Sequence, residues 1–158
     1  MLHLGCWKKS SINIFQTADT NYSIATRFIS ENASLFEVID TLFYRDFPHL
    51  HKFYNSIQLS HQYFKSFATC AINLQIDPQG IKHHRDEDDC TNGLCWVVPF
   101  GKYEKGFSTF PDLQLEIEII PGDVMCFKSR SLVHGCTSFS GYCGSLVLFT
   151  SNSTCFPN

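Results

Sequence analysis

The chain has 158 residues, enough for one domain with a real core and too few for two. Fifteen of them are Phe and only 17% are charged, which excludes a disordered chain and predicts an interior packed with aromatic rings. A formal charge of −3 gives no general attraction for phosphate, so a nucleic-acid partner would need a local basic face.

Residues 1–30 show no sustained periodicity and read as irregular, with one short strand expected at Ile12–Phe15. The opening Met1–Lys9 lacks a long apolar run followed by a small-residue cleavage site. No stretch approaches the roughly 18 apolar residues of a membrane span, so no membrane partner is expected. The eight Cys are scattered without a C-x-x-C pair, and Cys90 and Cys95 lack a second pair at zinc spacing. Several lie in apolar runs, where Cys acts as a small hydrophobe. An intracellular, reducing setting is expected, the nucleus included. The sequons at Asn21, Asn32 and Asn152 are then coincidental.

Ser34-Leu-Phe-Glu37 has the pattern of a capping box and opens a helix carrying Leu35, Phe36, Ile39, Leu42 and Phe43 on one face. Pro48 restarts the pattern for a second short helix with His49, Leu50, Phe53 and Tyr54. His49, His51 and His61 read as surface or half-buried groups.

From Phe67 the character changes to strands, expected at 67–76, 94–100, 107–110, 113–120, 124–127 and 145–150. The strict alternation in Leu113–Ile119 predicts one buried and one wet face. Turn signals fall at Asp77–Gly80, Gly101, Pro111-Asp112 and Pro121–Asp123. The expected fold is α+β, mainly β: one domain, with helical support over 1–62 and a jelly-roll or barrel core over 63–158.

Within Lys82–Asp89 the pair His84-x-Asp86 sets an imidazole and a carboxylate on one face of an extended segment, with His83 on the other. Together they are two-thirds of the two-His-one-carboxylate set that holds Fe(II) and leaves positions open. His134 is the only His after position 84, so it must be the third ligand. Taken alone, this stretch is read more plainly as a solvated acidic turn. The order of the strands favours the metal, because the pair follows an early strand and His134 a late one.

That layout is the double-stranded β-helix of Fe(II)/2-oxoglutarate dioxygenases. Residues 67–151 resemble the fungal Tet/JBP-like dioxygenase domains, related to enzymes that oxidise the methyl of 5-methylcytosine or thymine in DNA. The matching segments are Ala71–Leu74, His84-Arg-Asp86, Trp96–Gly101, Ile120–Val124, Phe127–His134 and Gly144–Thr150. The resemblance implies iron ligands His84, Asp86 and His134, O2 and a 2-oxo acid as co-substrates, and DNA as a possible partner. It further implies that Asn73, Arg130 and Ser145 stand at co-substrate positions. Asn73 reads equally well as a satisfied core residue, and Arg130 as structural.

The family has an Arg two residues before a Ser, where its fork clamps the distal carboxylate of 2-oxoglutarate. Here the tripeptide is Cys143-Gly144-Ser145. Either Arg130 or Lys128 supplies the charge, or the co-substrate differs, or catalysis is lost. Three functions follow: a dioxygenase oxidising a methyl on a nucleic-acid base, a related oxygenase acting on a small molecule, or an inactive jelly-roll that binds.

Overall fold

The structure, a computed structural model, describes residues 1–7, 15–75 and 80–156. Three helices, α1 (Ser23–Glu31), α2 (Ala33–Asp46) and α3 (Pro48–Asn55), lie against a mainly β body. Its strands are β1 (Leu2–Trp7), β2 (Phe15–Gln16), β3 (Thr69–Gln75), β4 (Ile81–His84), β5 (Cys95–Lys105), β6 (Phe107–Phe110), β7 (Leu115–Glu118), β8 (Met125–Phe127), β9 (His134–Cys136) and β10 (Phe139–Phe149). A last short helix, α4 (Asn152–Cys155), follows. Among the described residues no helix is long and apolar enough to cross a membrane.

The strands form two antiparallel sheets, ordered β2-β1-β3-β10-β5-β8 and β4-β9-β6-β7. Counted from β3, the larger sheet runs 1-8-3-6 and the smaller 2-7-4-5. Every consecutive pair except the hairpin β6–β7 therefore crosses from one sheet to the other. This interleaving brings β4 next to β9, fifty residues later in the chain.

Side chains alternate across a strand, so the large sheet presents two different faces. On one, Cys70, Trp96, Val98, Leu146 and Leu148 join Phe36, Ile39, Phe43 and Tyr54 of the helices in a single buried cluster. Phe43 is its hub: its ring stacks on Phe67 at 5.2 Å and meets Tyr54 at 5.3 Å and Trp96 at 5.7 Å. The helical spacing of Phe36, Ile39 and Phe43 turns all three inward, as the sequence predicts. Pro48 stands at the start of α3, also as predicted.

Three expectations give way. The described part of residues 1–30 is not irregular: β1 pairs with β3 and α1 packs Phe28 and Ile29 on the core. Of the strand expected at Ile12–Phe15, residues 12–14 lie outside the described residues, and Phe15 begins β2. Ser34 caps nothing, because α2 begins at Ala33, and the Asn32 side chain instead donates to the Phe28 carbonyl at 2.8 Å, closing α1. Gly101 does not end its strand. At φ +118° it carries β5 onward, in a conformation that L side chains rarely adopt and with the Tyr142 carbonyl where a Cβ would sit.

The alternation of residues 113–119 makes strand β7, but its apolar face is only partly covered: Leu113 and Leu115 are 54% and 43% exposed, and Ile117 and Ile119 are half-buried. β7 pairs only with β6, at the edge of the small sheet.

Candidate metal centre

His84 closes β4 and His134 opens β9, and the two are partners in the antiparallel ladder. Cross-strand partners project to the same side, so their rings meet at 4.4 Å between centroids. Gly135 allows the close fit behind them, since a Cβ there would lie 2.8 Å from the His83 ring and 2.7 Å from the Ile81 carbonyl. His83 points to the opposite face, as expected, with Nε2 3.0 Å from Thr109 Oγ1.

Asp86 completes the group. Its Oδ1 lies 3.7 Å from His84 Nε2 and its Oδ2 3.5 Å from His134 Nε2. One ligand atom from each of the three residues falls within 4.8 Å of the others. Each imidazole is also held from behind: His84 Nδ1 donates to the Lys82 carbonyl at 2.8 Å and His134 Nδ1 to the Leu132 carbonyl at 3.0 Å. A carbonyl only accepts, so the proton sits on Nδ1 and the Nε2 lone pair is free to face a cation. This is the usual arrangement around metal-bound His. His134 is the more enclosed, its side chain 12% exposed against 43% for His84. Burial lowers its pKa, but the Asp86 carboxylate and the Leu132 carbonyl outweigh that and hold it above the ordinary His value.

The turn that carries Asp86 is pinned from several sides. The Asp86 amide donates to Ser129 O at 3.1 Å, and Arg85 Nε donates to Ser131 O at 3.0 Å. Asp112 accepts from Arg85 Nη2 at 3.2 Å and from the Val133 amide at 3.1 Å, tying the segments that carry Asp86 and His134 to one carboxylate. Arg130 Nη1 donates to the carbonyls of Glu87 and Asp89, the latter at 3.0 Å. Behind this, the buried Asp89 carboxylate accepts from the Ser129 hydroxyl, and burial pushes its pKa up to about 7.

These three side chains open into a cavity of about 730 Å³ lined by both sheets. The wall from the large sheet is its second face, laid out in cross-strand rows. Ala71, Val147, Val97 and Met125 form one row, Asn73, Ser145 and Pro99 the next, and Gln75, Cys143 and Gly101 the third. Asn73 Nδ2 donates to Ser145 Oγ at 3.3 Å, and Asn73 Oδ1 is buried without a partner. His3 and Trp7 of β1 also line the cavity.

The structure thus gathers His84, Asp86 and His134 at one point and sets Asn73, Ser145 and Cys143 in the wall of the same cavity. Arg130 stands outside the lining and spends its charge on the Asp86 turn; Lys128 is exposed and also outside it. Sequence reasoning missed Asp112, Arg85 and Ser129, whose roles depend on loops that meet only in the fold. It missed His3 and Trp7 because the first strand was itself unseen.

No family model matches the sequence, and no curated protein matches it. Among solved structures, the chain is similar to NgTET1 in complex with 5mC DNA. The TM-score is 0.83 with 20% sequence identity over 98% of this chain. The chain spans 62% of the length of that protein. The likeness read in the sequence to the Tet/JBP-like dioxygenases therefore extends to the fold: this chain is built as NgTET1 is built.

Proposed function

We propose that the chain is an Fe(II)-dependent dioxygenase that oxidises a methyl group, with a base such as 5-methylcytosine or thymine in nucleic acid as substrate. The observation that carries this is the convergence of His84, Asp86 and His134, ring tautomers set, in one cavity. The interleaved strand order supports a double-stranded β-helix, a jelly-roll whose two sheets flank such a site. NgTET1, similar in fold, was solved with 5mC DNA, which supports DNA as the substrate.

The donor set fits iron. Two imidazoles and one carboxylate on one side suit a non-haem Fe(II) that keeps open positions for a chelating acid and O2. Bound there, iron with its 2-oxo acid supplies the oxidising power for an unactivated C–H bond, and the protein supplies orientation and a dry site. His84, Asp86 and His134 would hold the metal, and the wall with Asn73 and Ser145 would face the co-substrate. The cavity has room for a flipped base beside it, as chemistry on a base in a duplex requires.

Metal analysis is the test. The wild type should bind one Mn(II) or Fe(II), and His134→Ala and Asp86→Ala should lose stoichiometric uptake while remaining folded. Unchanged metal content in both variants would defeat the assignment. Incubation of iron-loaded protein with methylated DNA and a panel of 2-oxo acids should then yield hydroxymethyl bases on mass spectrometry.

One observation favours a small-molecule substrate as the second reading. Glu87 and Asp88 line the cavity and are exposed, and the whole chain is acidic, so a phosphate backbone meets like charge there. Iron-dependent O2 uptake driven by a small molecule, with DNA unaltered, would select it.

A further inference from the structure

The charges around the cavity are unevenly placed. Four successive carboxylates, Asp86 to Asp89, belong to its lining. Among the described residues, and apart from the imidazoles of His84 and His134, the lining has two basic side chains, Arg85 and His3. Arg85 is already engaged by Asp112 and the Ser131 carbonyl. His3 packs 5.0 Å from the Trp7 ring, and burial lowers its pKa, so at neutral pH it carries no charge.

The wall built from β3, β10 and β5 has no charge at all. Ser145 and Asn73 bond to each other, leaving one buried amide atom of Asn73 unpartnered and available to a ligand. Cys143 stands in the next row, a half-buried thiol held protonated by burial. Tyr103 donates its hydroxyl to the Ile119 carbonyl at 2.8 Å. Val97, Pro99 and Met125 complete an apolar surround. A second carboxylate brought here would lose water and find only neutral dipoles, which costs far more than seating an uncharged group.

Resting on the metal reading above, we propose that this wall selects a 2-oxo acid whose far end is uncharged, in preference to the dicarboxylate 2-oxoglutarate. The oxo-carboxylate end of such an acid is the chelating end. The tail meets the rows of Val97, Asn73 and Cys143, where a branched or short aliphatic group buries apolar surface at no electrostatic penalty.

Binding separates this from turnover. Wild-type protein loaded with Mn(II) is titrated calorimetrically with 4-methyl-2-oxopentanoate and, separately, with 2-oxoglutarate. The uncharged-tail acid should bind on the order of tenfold tighter or more. Cys143→Arg, which sets a planar cation in the wall, should shift the ratio toward 2-oxoglutarate by about the same factor. Cys143→Ser should keep the wild-type order. If Cys143→Arg fails to fold, the wild-type ratio alone decides. Equal or tighter binding of 2-oxoglutarate by the wild type overturns the proposal, and so does binding of neither acid by metal-loaded protein. Mn(II) uptake is measured first without any acid, so a failure at that step is recognised as failure of the metal site itself, and the proposal falls with it.

Discussion

The two faces of the large sheet are made by the same strands and do opposite things. Cys70, Trp96, Val98, Leu146 and Leu148 look toward the helices and are covered completely. Their immediate neighbours Ala71, Val97, Ser145 and Val147 look the other way and line a cavity of about 730 Å³. The period of two that fills one side empties the other. Helix α2 closes the first face with Phe36, Ile39 and Phe43, and α3 adds Tyr54, whereas the second faces the short strands β4, β9 and β6 across the cavity. The lesson is that the helices carry the larger share of the burial, while the opposite face keeps only a small cluster around Ala71, Cys95 and Phe149 and so has room for polar groups.

Substitution should show this asymmetry first as stability. Phe43→Ala empties the point where Phe67, Tyr54 and Trp96 meet, and should cost about 3–5 kcal/mol in denaturant unfolding. Ser145→Ala, facing the cavity, loses one long hydrogen bond from Asn73 and should cost about 1 kcal/mol or less. Similar losses in the two variants would mean that the cavity face is as tightly built as the core.

Arg130 sharpens the comparison at the other end of the molecule. Its guanidinium links the carbonyls of Glu87 and Asp89, just past Asp86, and does not face the cavity. Arg130→Ala should therefore cost about 1.5–3 kcal/mol in stability through the lost charged donor. It should also weaken metal binding by roughly 10–100-fold through the loosened turn. Calorimetric Mn(II) titration reads the second effect. Metal affinity that is unchanged, together with lost binding of 2-oxo acids, would instead make Arg130 a co-substrate contact.

These variants also mark what the sequence discloses. The core strands β3, β6 and β10 and helices α2 and α3 are legible because burial forces a period on them: Phe36, Ile39 and Phe43 repeat at helical spacing, and Leu146 and Leu148 at strand spacing. The ligand pair is legible because His84-x-Asp86 is a local pattern with a chemical meaning. Helix α1 is not, since Tyr22 offers no side-chain cap and Ile24 is exposed on its outer side. Nor is β7 legible as a partly covered edge, because its alternation is that of a half-buried strand and coverage depends on the neighbours. The role of Arg130 is least legible of all. Its partners are main-chain carbonyls more than forty residues away, and no side-chain pattern records them.

The finest distinction between the faces lies in their thiols. Cys136 of β9 lines the cavity and is half-buried, and burial pushes its thiol up to about 11, with the nearby Cys143 adding to the effect. Cys70 faces the helices, wholly covered, and burial pushes it up to about 12. Only the thiolate reacts with iodoacetamide, and an ordinary thiol near 8.5 is largely ionised by about pH 9.5. Alkylation of Cys136 should thus keep accelerating about tenfold per pH unit through pH 10, well past the point where an exposed thiol levels off. Cys70 should stay unmodified until the protein unfolds. The same shift has a sign for stability: the folded chain holds the Cys136 proton to a higher pH than the unfolded chain, whose thiol titrates at about pH 8.5. This site's contribution is therefore complete below about pH 8.5 and is lost as pH rises toward about 11. Mass-spectrometric mapping after timed alkylation at several pH values distinguishes the two cysteines. Equal protection of Cys136 and Cys70 across the range would show that the cavity is closed to small reagents, and the contrast between the two faces would fail at its most exposed point.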